Sequence, residues 1–260
     1  MLATNFDRSR SLDVGLDPMT NYLLRSLPAE EWQYWQPGLE SMELRRGMIL
    51  CKSGSQLSHL YFPTTVTVSL TQLTDNGTST EFAVVGNDGA VSVALFLGSQ
   101  TTPSQAIVQT PGHGFRIPAN LVLDRFARCD DVKHLMLRYT QAMLTQLAQT
   151  VVCNRHHSID RQLCRWLLMR LDRMVGNEVP VTQQLIANLL GVRRESVTEA
   201  VQFLQRAGWI VSARGRTTVI DRRGLETHAC ECYAVLRRET DRLLPSASQP
   251  GNDPESPDSP

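Results

Sequence analysis

The chain has 260 residues, and its 26 Lys and Arg balance 26 Asp and Glu, so net charge by itself excludes no class of partner. The length allows two domains of ordinary size. No run of about 18 apolar residues is present and the polar first 18 residues lack the apolar core of a secretory signal, so the expectation is a cytoplasmic chain with no membrane partner. Six cysteines, at 51, 129, 153, 164, 230 and 232, are too sparse for a disulfide framework.

The distribution of charge says more than its sum. Residues 1–153 carry a net charge of −2 and residues 225–260 a net of −4. Residues 154–224 carry 12 Arg against 6 acidic residues, a net of +6. A basic block of this kind is the electrostatic footprint expected of a surface that binds phosphates.

In chain order, residues 1–19 read as a disordered N-terminus. A short helix is predicted over 20–27, ended by Pro28, and a second over 29–35, stopped before Pro37-Gly38. From 39 to about 120 the pattern becomes short β segments, at 39–44, 48–51, 60–62, 66–70, 81–85, 91–97, 104–110 and 114–117. Turn signals separate them, of which Asp75-Asn76-Gly77 is the best hairpin. Short strands at this spacing predict a jelly roll or β-roll rather than βαβ units.

The chain then turns helical. A short helix is predicted over 121–127 and a long one over 130–154, capped by Asp130 or Asp131. Leu135, Met136, Tyr139, Met143, Leu147 and Val151 recur along the long helix at threes and fours. That stripe either packs on the chain's own β-domain or pairs with a second copy. Residues 154–158 read as a hinge. His156-His157 beside Cys153 reads as hydrated linker rather than a metal pair, since no fourth ligand is evident. Ser158 caps a helix predicted over 159–174.

Residues 181–220 carry the most specific pattern. Thr182 is a good N-cap, Leu185, Ile186, Leu189 and Leu190 give a first helix one apolar face, and Gly191 supplies the left-handed turn. A second helix restarts at about Arg193 with Val197, Ala200, Val201 and Leu204 as its apolar stripe. Its other face carries Arg193, Arg194, Glu195, Thr198, Glu199 and Gln202. Two short strands follow, with Arg214 and Arg216 at the turn between them. This is a winged helix-turn-helix with a polar, arginine-led face on the second helix. A last helix is predicted over 225–244. On a helix Cys230 and Cys232 point in different directions, so no metal is expected there and the role of the pair stays open. The Ser, Pro and Asp-rich tail 245–260 reads as disordered.

Two stretches resemble a known family. Gly191 followed by Arg194-Glu195-Ser196-Val197 looks like the DNA-binding domain of the Crp/Fnr superfamily of bacterial transcription regulators. Glu43-Leu44-Arg-Arg-Gly47, His59-Leu-Tyr61-Phe-Pro63 and Phe82-Ala-Val-Val-Gly86-Asn-Asp-Gly89 resemble its sensor domain, which is similar to cyclic-nucleotide-binding domains. The resemblance spans about residues 20–225. It implies an α+β architecture: a β-roll sensor domain at 20–127, a dimerisation helix at 128–154, a winged helix-turn-helix domain at 155–225 and a C-terminal helix at 226–244. It favours the dimer reading of the long helix, with Leu135, Met136, Tyr139, Met143, Leu147 and Val151 at the interface. It places a candidate effector pocket at Gly86, Gly89, Gly98, Ser104, Gln105 and Ala106.

The same resemblance argues against cAMP as the ligand. Cyclic-nucleotide binders of this type carry Arg-[ST]-Ala to hold the phosphate, and Ser104 stands here where the arginine would be. A cyclic phosphate needs a compensating cation or several amide donors. No cofactor is expected: residues 1–50 hold no Cys for an iron–sulfur cluster, and His59 and His113 are the two histidines of the β region that a haem could use.

The expected function is a regulator that binds a palindromic duplex as a homodimer, with RNA polymerase as a further candidate partner. Arg194, Glu195, Thr198 and Glu199 are the candidate base-reading residues, Arg194 foremost because Arg to guanine is the commonest specific contact. A carboxylate at Glu199, where several family members carry a basic residue, selects against guanine. Thr182, Gln183, Arg193, Ser196, Arg214 and Arg216 are candidate backbone contacts. Three alternatives stand beside this reading. The first is the same fold requiring an unidentified small-molecule or redox effector. The second is an interaction module that kept the fold but not DNA. The third is a cupin-like β-barrel enzyme, which would need His-x-His spacing that the β region lacks.

Overall fold

The computed structural model describes residues 16–244 except Asn76 and Val175. The disorder expected of the tail 245–260 and of most of residues 1–19 lies outside the described residues. Residues 18–20 form a 3-10 turn, and the short helix that follows, α1 (Tyr22–Arg25), is briefer than the 20–27 predicted. Asn21 fixes it. The side-chain oxygen of Asn21 accepts from the amides of Leu23 and Leu24, while its Nδ2 donates to the carbonyls of Pro63 and Gly89. A fully buried amide is thus satisfied at every position it offers, which pins α1 to the sheet beneath it. Helix α2 (Ala29–Trp35) follows as expected and buries Trp35.

Among the described residues, seven strands form the N-terminal domain: β1 (Glu40–Leu44), β2 (Ile49–Cys51), β3 (His59–Pro63), β4 (Val68–Leu73), β5 (Ser79–Val85), β6 (Gln105–Val108) and β7 (Gly112–Pro118). They make two antiparallel sheets, in the orders β1-β7-β3 and β2-β6-β4-β5. The sheets share one apolar core that includes Leu44, Leu60, Phe62, Val68, Val108 and Ile117. The strand predicted over 91–97 is a correction. Val93–Leu97 is a 3-10 turn closed by Gly98 at φ +80. A short apolar run carries no periodicity that separates strand from turn. Here the turn buries Leu95 and Phe96 rather than joining a sheet, and the Phe96 ring lies 5.1 Å from that of Phe126.

Helix α3 (Ala119–Arg128) leads into α4 (Asp130–His156), which is 27 residues long and extends into the hinge expected at 154–158, leaving His157 and Ser158 as the extended break before the next helix. Leu135, Met136, Tyr139 and Met143 are all buried against the chain's own β-domain. The Tyr139 hydroxyl donates to the Ala90 carbonyl at 2.8 Å. These four, expected at a dimer interface, are intrachain core. Periodicity identifies an apolar face but not which body covers it.

Helix α5 (Ile159–Leu171) is buried on every side from Gln162 to Leu171, arginines included. Three segments complete the helix-turn-helix and its wing: α6 (Gln183–Leu190) and α7 (Arg194–Arg206), then a small sheet in the order β8-β10-β9, with β8 (Glu178–Val179), β9 (Ile210–Ala213) and β10 (Arg216–Val219). The expected final helix 225–244 is two: α8 (Arg222–His228) and α9 (Glu231–Leu243), with Ala229 and Cys230 extended between them. The break has no Pro or Gly to announce it. It lets Leu225 point into the helix-turn-helix core while Leu243 and Leu244 join the core of the β-domain. It also removes the premise that Cys230 and Cys232 lie on one continuous helix.

Candidate nucleic-acid interface

The recognition face is set by local rules that the sequence obeys. The Thr182 hydroxyl accepts from the Leu185 amide at 3.2 Å and starts α6. Gly191, at φ +69, ends it in the left-handed region that a side chain resists. Helix α7 then buries Val197, Ala200, Val201 and Leu204 against Leu163, Leu167 and Ile186. With that face occupied, Arg193, Arg194, Glu195 and Glu199 are left in solvent, and Ser196 is half-buried. Among the described residues, no ion pair engages any of the four charged groups. Arg193, the N-cap of α7, makes no side-chain capping bond, and the first amides of a helix, which have no intrahelical acceptor, suit an anion.

Two expected contacts are tied down instead. Thr198 is half-buried, and its hydroxyl lies 2.9 Å from Gln183 Oε1 and 3.0 Å from the Arg194 carbonyl, to one of which it donates. It fastens α7 to α6 and orients Gln183, a positioning role rather than the base contact expected. Arg216 meets Glu178 on the neighbouring strand at 3.2 Å, both exposed. Sequence reasoning misses Glu178 because a two-residue strand has no periodicity to show. Arg214 is exposed and occupies the tip of the wing at φ +50, followed by Gly215 at φ +79. Two successive residues at positive φ make the primed hairpin turn whose twist matches the strands. A Cβ on Gly215 would lie 3.5 Å from Thr182, so the wing tip stands beside the start of α6.

This domain is docked on the β-domain through buried charge. Arg170 meets Glu81 at 2.5 Å, with both side chains nearly inaccessible, and Ser69 donates to the same carboxylate. The Arg170 guanidinium also covers the Trp166 ring at 3.4 Å. Arg173 meets Asp88 at 2.7 Å. Gly86 lies under this contact, where a Cβ would fall 2.5 Å from that of Arg173, and a Cβ on Gly89 would strike the Tyr139 ring. Gly86 and Gly89 are therefore close-packing positions. Gly98 is exposed with open space about it.

Ser104, Gln105 and Ala106 do line a cavity, of about 350 Å³, between the four-stranded sheet and α4. Its other walls include Leu57, Leu70, Phe82, Val93, Met143 and Leu147, and among the described residues no Lys, Arg or His reaches it. His59 and His113 lie outside it. His59 Nδ1 is instead 2.8 Å from the Ser58 hydroxyl.

A β-roll joined by one long helix to a winged helix-turn-helix is the architecture of the Crp/Fnr transcriptional regulators, and the chain has that fold. Residues 161–228 match the family model of the Crp-like helix-turn-helix domain. The chain is similar to a structure from Eubacterium rectale assigned to the Crp/Fnr family (TM-score 0.63, 19% identity, covering 80% of this chain and 98% of that one). It is also similar to the c-di-GMP responsive global regulator CLP of Xanthomonas campestris (0.60, 15%, 74% and 99%). A CRP-family transcriptional regulator of Thermus thermophilus matches comparably (0.60, 19%, 72% and 96%). No curated protein matches the chain. Among the described residues no helix is long and apolar enough to cross a membrane.

Proposed function

We propose that the chain is a DNA-binding transcription regulator that reads a palindromic site as a homodimer. The observation that carries this is the exposed arginine face of α7, without an ion pair among the described residues, together with a wing tipped by Arg214 that stands beside the start of α6. In a helix-turn-helix the second helix enters the major groove by its N-terminal end. That end presents Arg194 for guanine and Glu195 for a cytosine amino group, with Glu199 one turn further along. Arg193, Ser196, Thr182 and Arg214 are the phosphate contacts of this reading.

The dimer seam follows from what α4 leaves uncovered. Leu137, Leu144 and Val151 recur every seven residues, and their exposures of 41%, 49% and 70% are high for such side chains. An apolar row at seven-residue spacing is one row of the seam that a two-stranded coiled coil buries. Of the residues named from the sequence, Val151 lies on this seam and half-buried Leu147 beside it. Sedimentation of the chain and of Leu144→Glu tests the seam. The expected outcome is a dimer and a monomer, with duplex binding falling in the variant; an unchanged dimer overturns it.

Any effector held at Ser104 is apolar. The cavity there offers no cation to a cyclic phosphate, and burying that charge unpaired is costly. Thermal unfolding with excess cAMP should leave the midpoint unmoved. A rise in the midpoint contradicts the assignment.

A further inference from the structure

Four side chains that lie far apart in sequence meet where the long helix ends. Cys153 is on the last turn of α4 and His157 caps it, while Cys230 and Cys232 stand at the start of α9. One ligand atom from each of the four lies within 4.8 Å of every other. The Sγ atoms of Cys153 and Cys230 are 3.5 Å apart, and Cys232 Sγ is 3.7 Å from His157 Nδ1. A tetrahedral zinc with Zn–S near 2.3 Å has edges of about 3.8 Å between sulfurs, and shorter ones to nitrogen. The sulfur-to-sulfur distance is well beyond a disulfide bond, and all six cysteines are free.

We propose that these residues form a closed Cys3His site for one zinc ion. Two surrounding features fit a ligand set better than thiol packing. The outer nitrogen of His157, Nε2, meets Glu231 at 3.2 Å, so a carboxylate orients the ring and leaves Nδ1 facing the sulfurs. That arrangement is the outer-shell support of a metal-bound imidazole. Zinc with three thiolates carries a net negative charge, and buried Arg165 lies close enough to act electrostatically on both Cys153 and Cys232. The three cysteines are almost wholly buried, which suits a structural site with no open coordination position. The metal would tie the end of α4, and so the junction between the long helix and the helix-turn-helix domain, to the start of the C-terminal helix. The zinc assignment stands independently of DNA binding.

The test is metal content of the full chain after dialysis against metal-free buffer, together with cobalt(II) titration of the stripped protein. The expected result is one zinc per chain, and a cobalt spectrum with the visible bands and thiolate charge transfer of a tetrahedral sulfur-rich site. Cys230→Ser and His157→Ala should lose the retained metal, Cys129→Ser should keep it, and Glu231→Gln should weaken cobalt binding about 10- to 100-fold. The cobalt spectrum of the unaltered chain does not depend on any variant folding. Retained metal no higher than in Cys230→Ser, a cobalt spectrum without thiolate bands, or a disulfide joining Cys153 and Cys230 in protein kept under reductant would each overturn the proposal.

Discussion

The C-terminal domain carries two sets of arginines, one in solvent and one buried against the β-domain, and their surroundings are opposite. On α7 and the wing, Arg193, Arg194 and Arg214 stand in solvent without acidic partners among the described residues. On α5 and just beyond it, Arg165, Arg170 and Arg173 are buried, and the last two are matched to Glu81 and Asp88 of the β-domain. The net charge of +6 over residues 154–224 therefore combines a solvent-exposed arginine surface with an internal seam. A charge count locates the basic domain but overstates the footprint, because composition cannot tell a solvated arginine from one already neutralised.

That contrast can be broken first at the seam. Glu81→Ala leaves the Arg170 charge buried and uncompensated, and should destabilise the chain by about 3–5 kcal/mol in denaturant unfolding. Arg214→Ala in the same assay should stay within about 0.5 kcal/mol. Similar costs for the two would mean that the two sets are not distinct. On the recognition side, Arg194→Ala should cost about 1–3 kcal/mol of affinity for the preferred duplex and relax choice at one base pair, as measured by competition with single-base variants. Arg214→Ala should weaken binding to all duplexes alike and lower the salt-dependence slope by about one.

The smallest effect sharpens the comparison with a third, purely structural pair. Glu31 is buried against Arg125, whose guanidinium donates from Nε at 2.9 Å and holds the carboxyl below its ordinary 4.5, outweighing the effect of burial. A lowered carboxyl stabilises the fold above its unfolded pKa, and the gain disappears as pH falls through the folded value. Stability should thus decline as pH falls below about 4.5, and Glu31→Gln should flatten that decline. A curve of unchanged shape would show that the pair adds nothing to stability.

How much of the molecule is legible in the sequence depends on the range of the interactions. The recognition helix is legible because its cause is local: Thr182 caps, Gly191 turns, and Val197, Ala200, Val201 and Leu204 repeat at helical spacing. The strands are legible as a class, though 91–97 is not, since an apolar run fits a strand or a buried turn equally well. The stripe on α4 is legible as apolar, but its spacing does not name the body that covers it. Leu135 and Met136 serve the β-domain, and the seven-residue row of Leu137, Leu144 and Val151 lies on the open side. The close packing of two expected pocket glycines is illegible for a related reason. Gly86 and Gly89 are small because Arg173 and Tyr139 need the room, a constraint that arises only once the elements around them have packed. Cys153 and His157 cannot be connected to Cys230 and Cys232 from the sequence, because the break at Ala229 and Cys230 is imposed by tertiary packing.

The central claim is that the exposed arginine face reads a two-fold DNA site. Selection of bound duplexes from a random pool by the purified chain, alongside Arg194→Ala, tests it most directly. The expected result is enrichment of a palindrome whose half-sites lie about one helical turn apart, with information lost at one symmetric base pair in the variant. If the folded dimer retains no sequence above background, or if Arg194→Ala selects the same palindrome with the same preference at every position, the assignment of this face is contradicted.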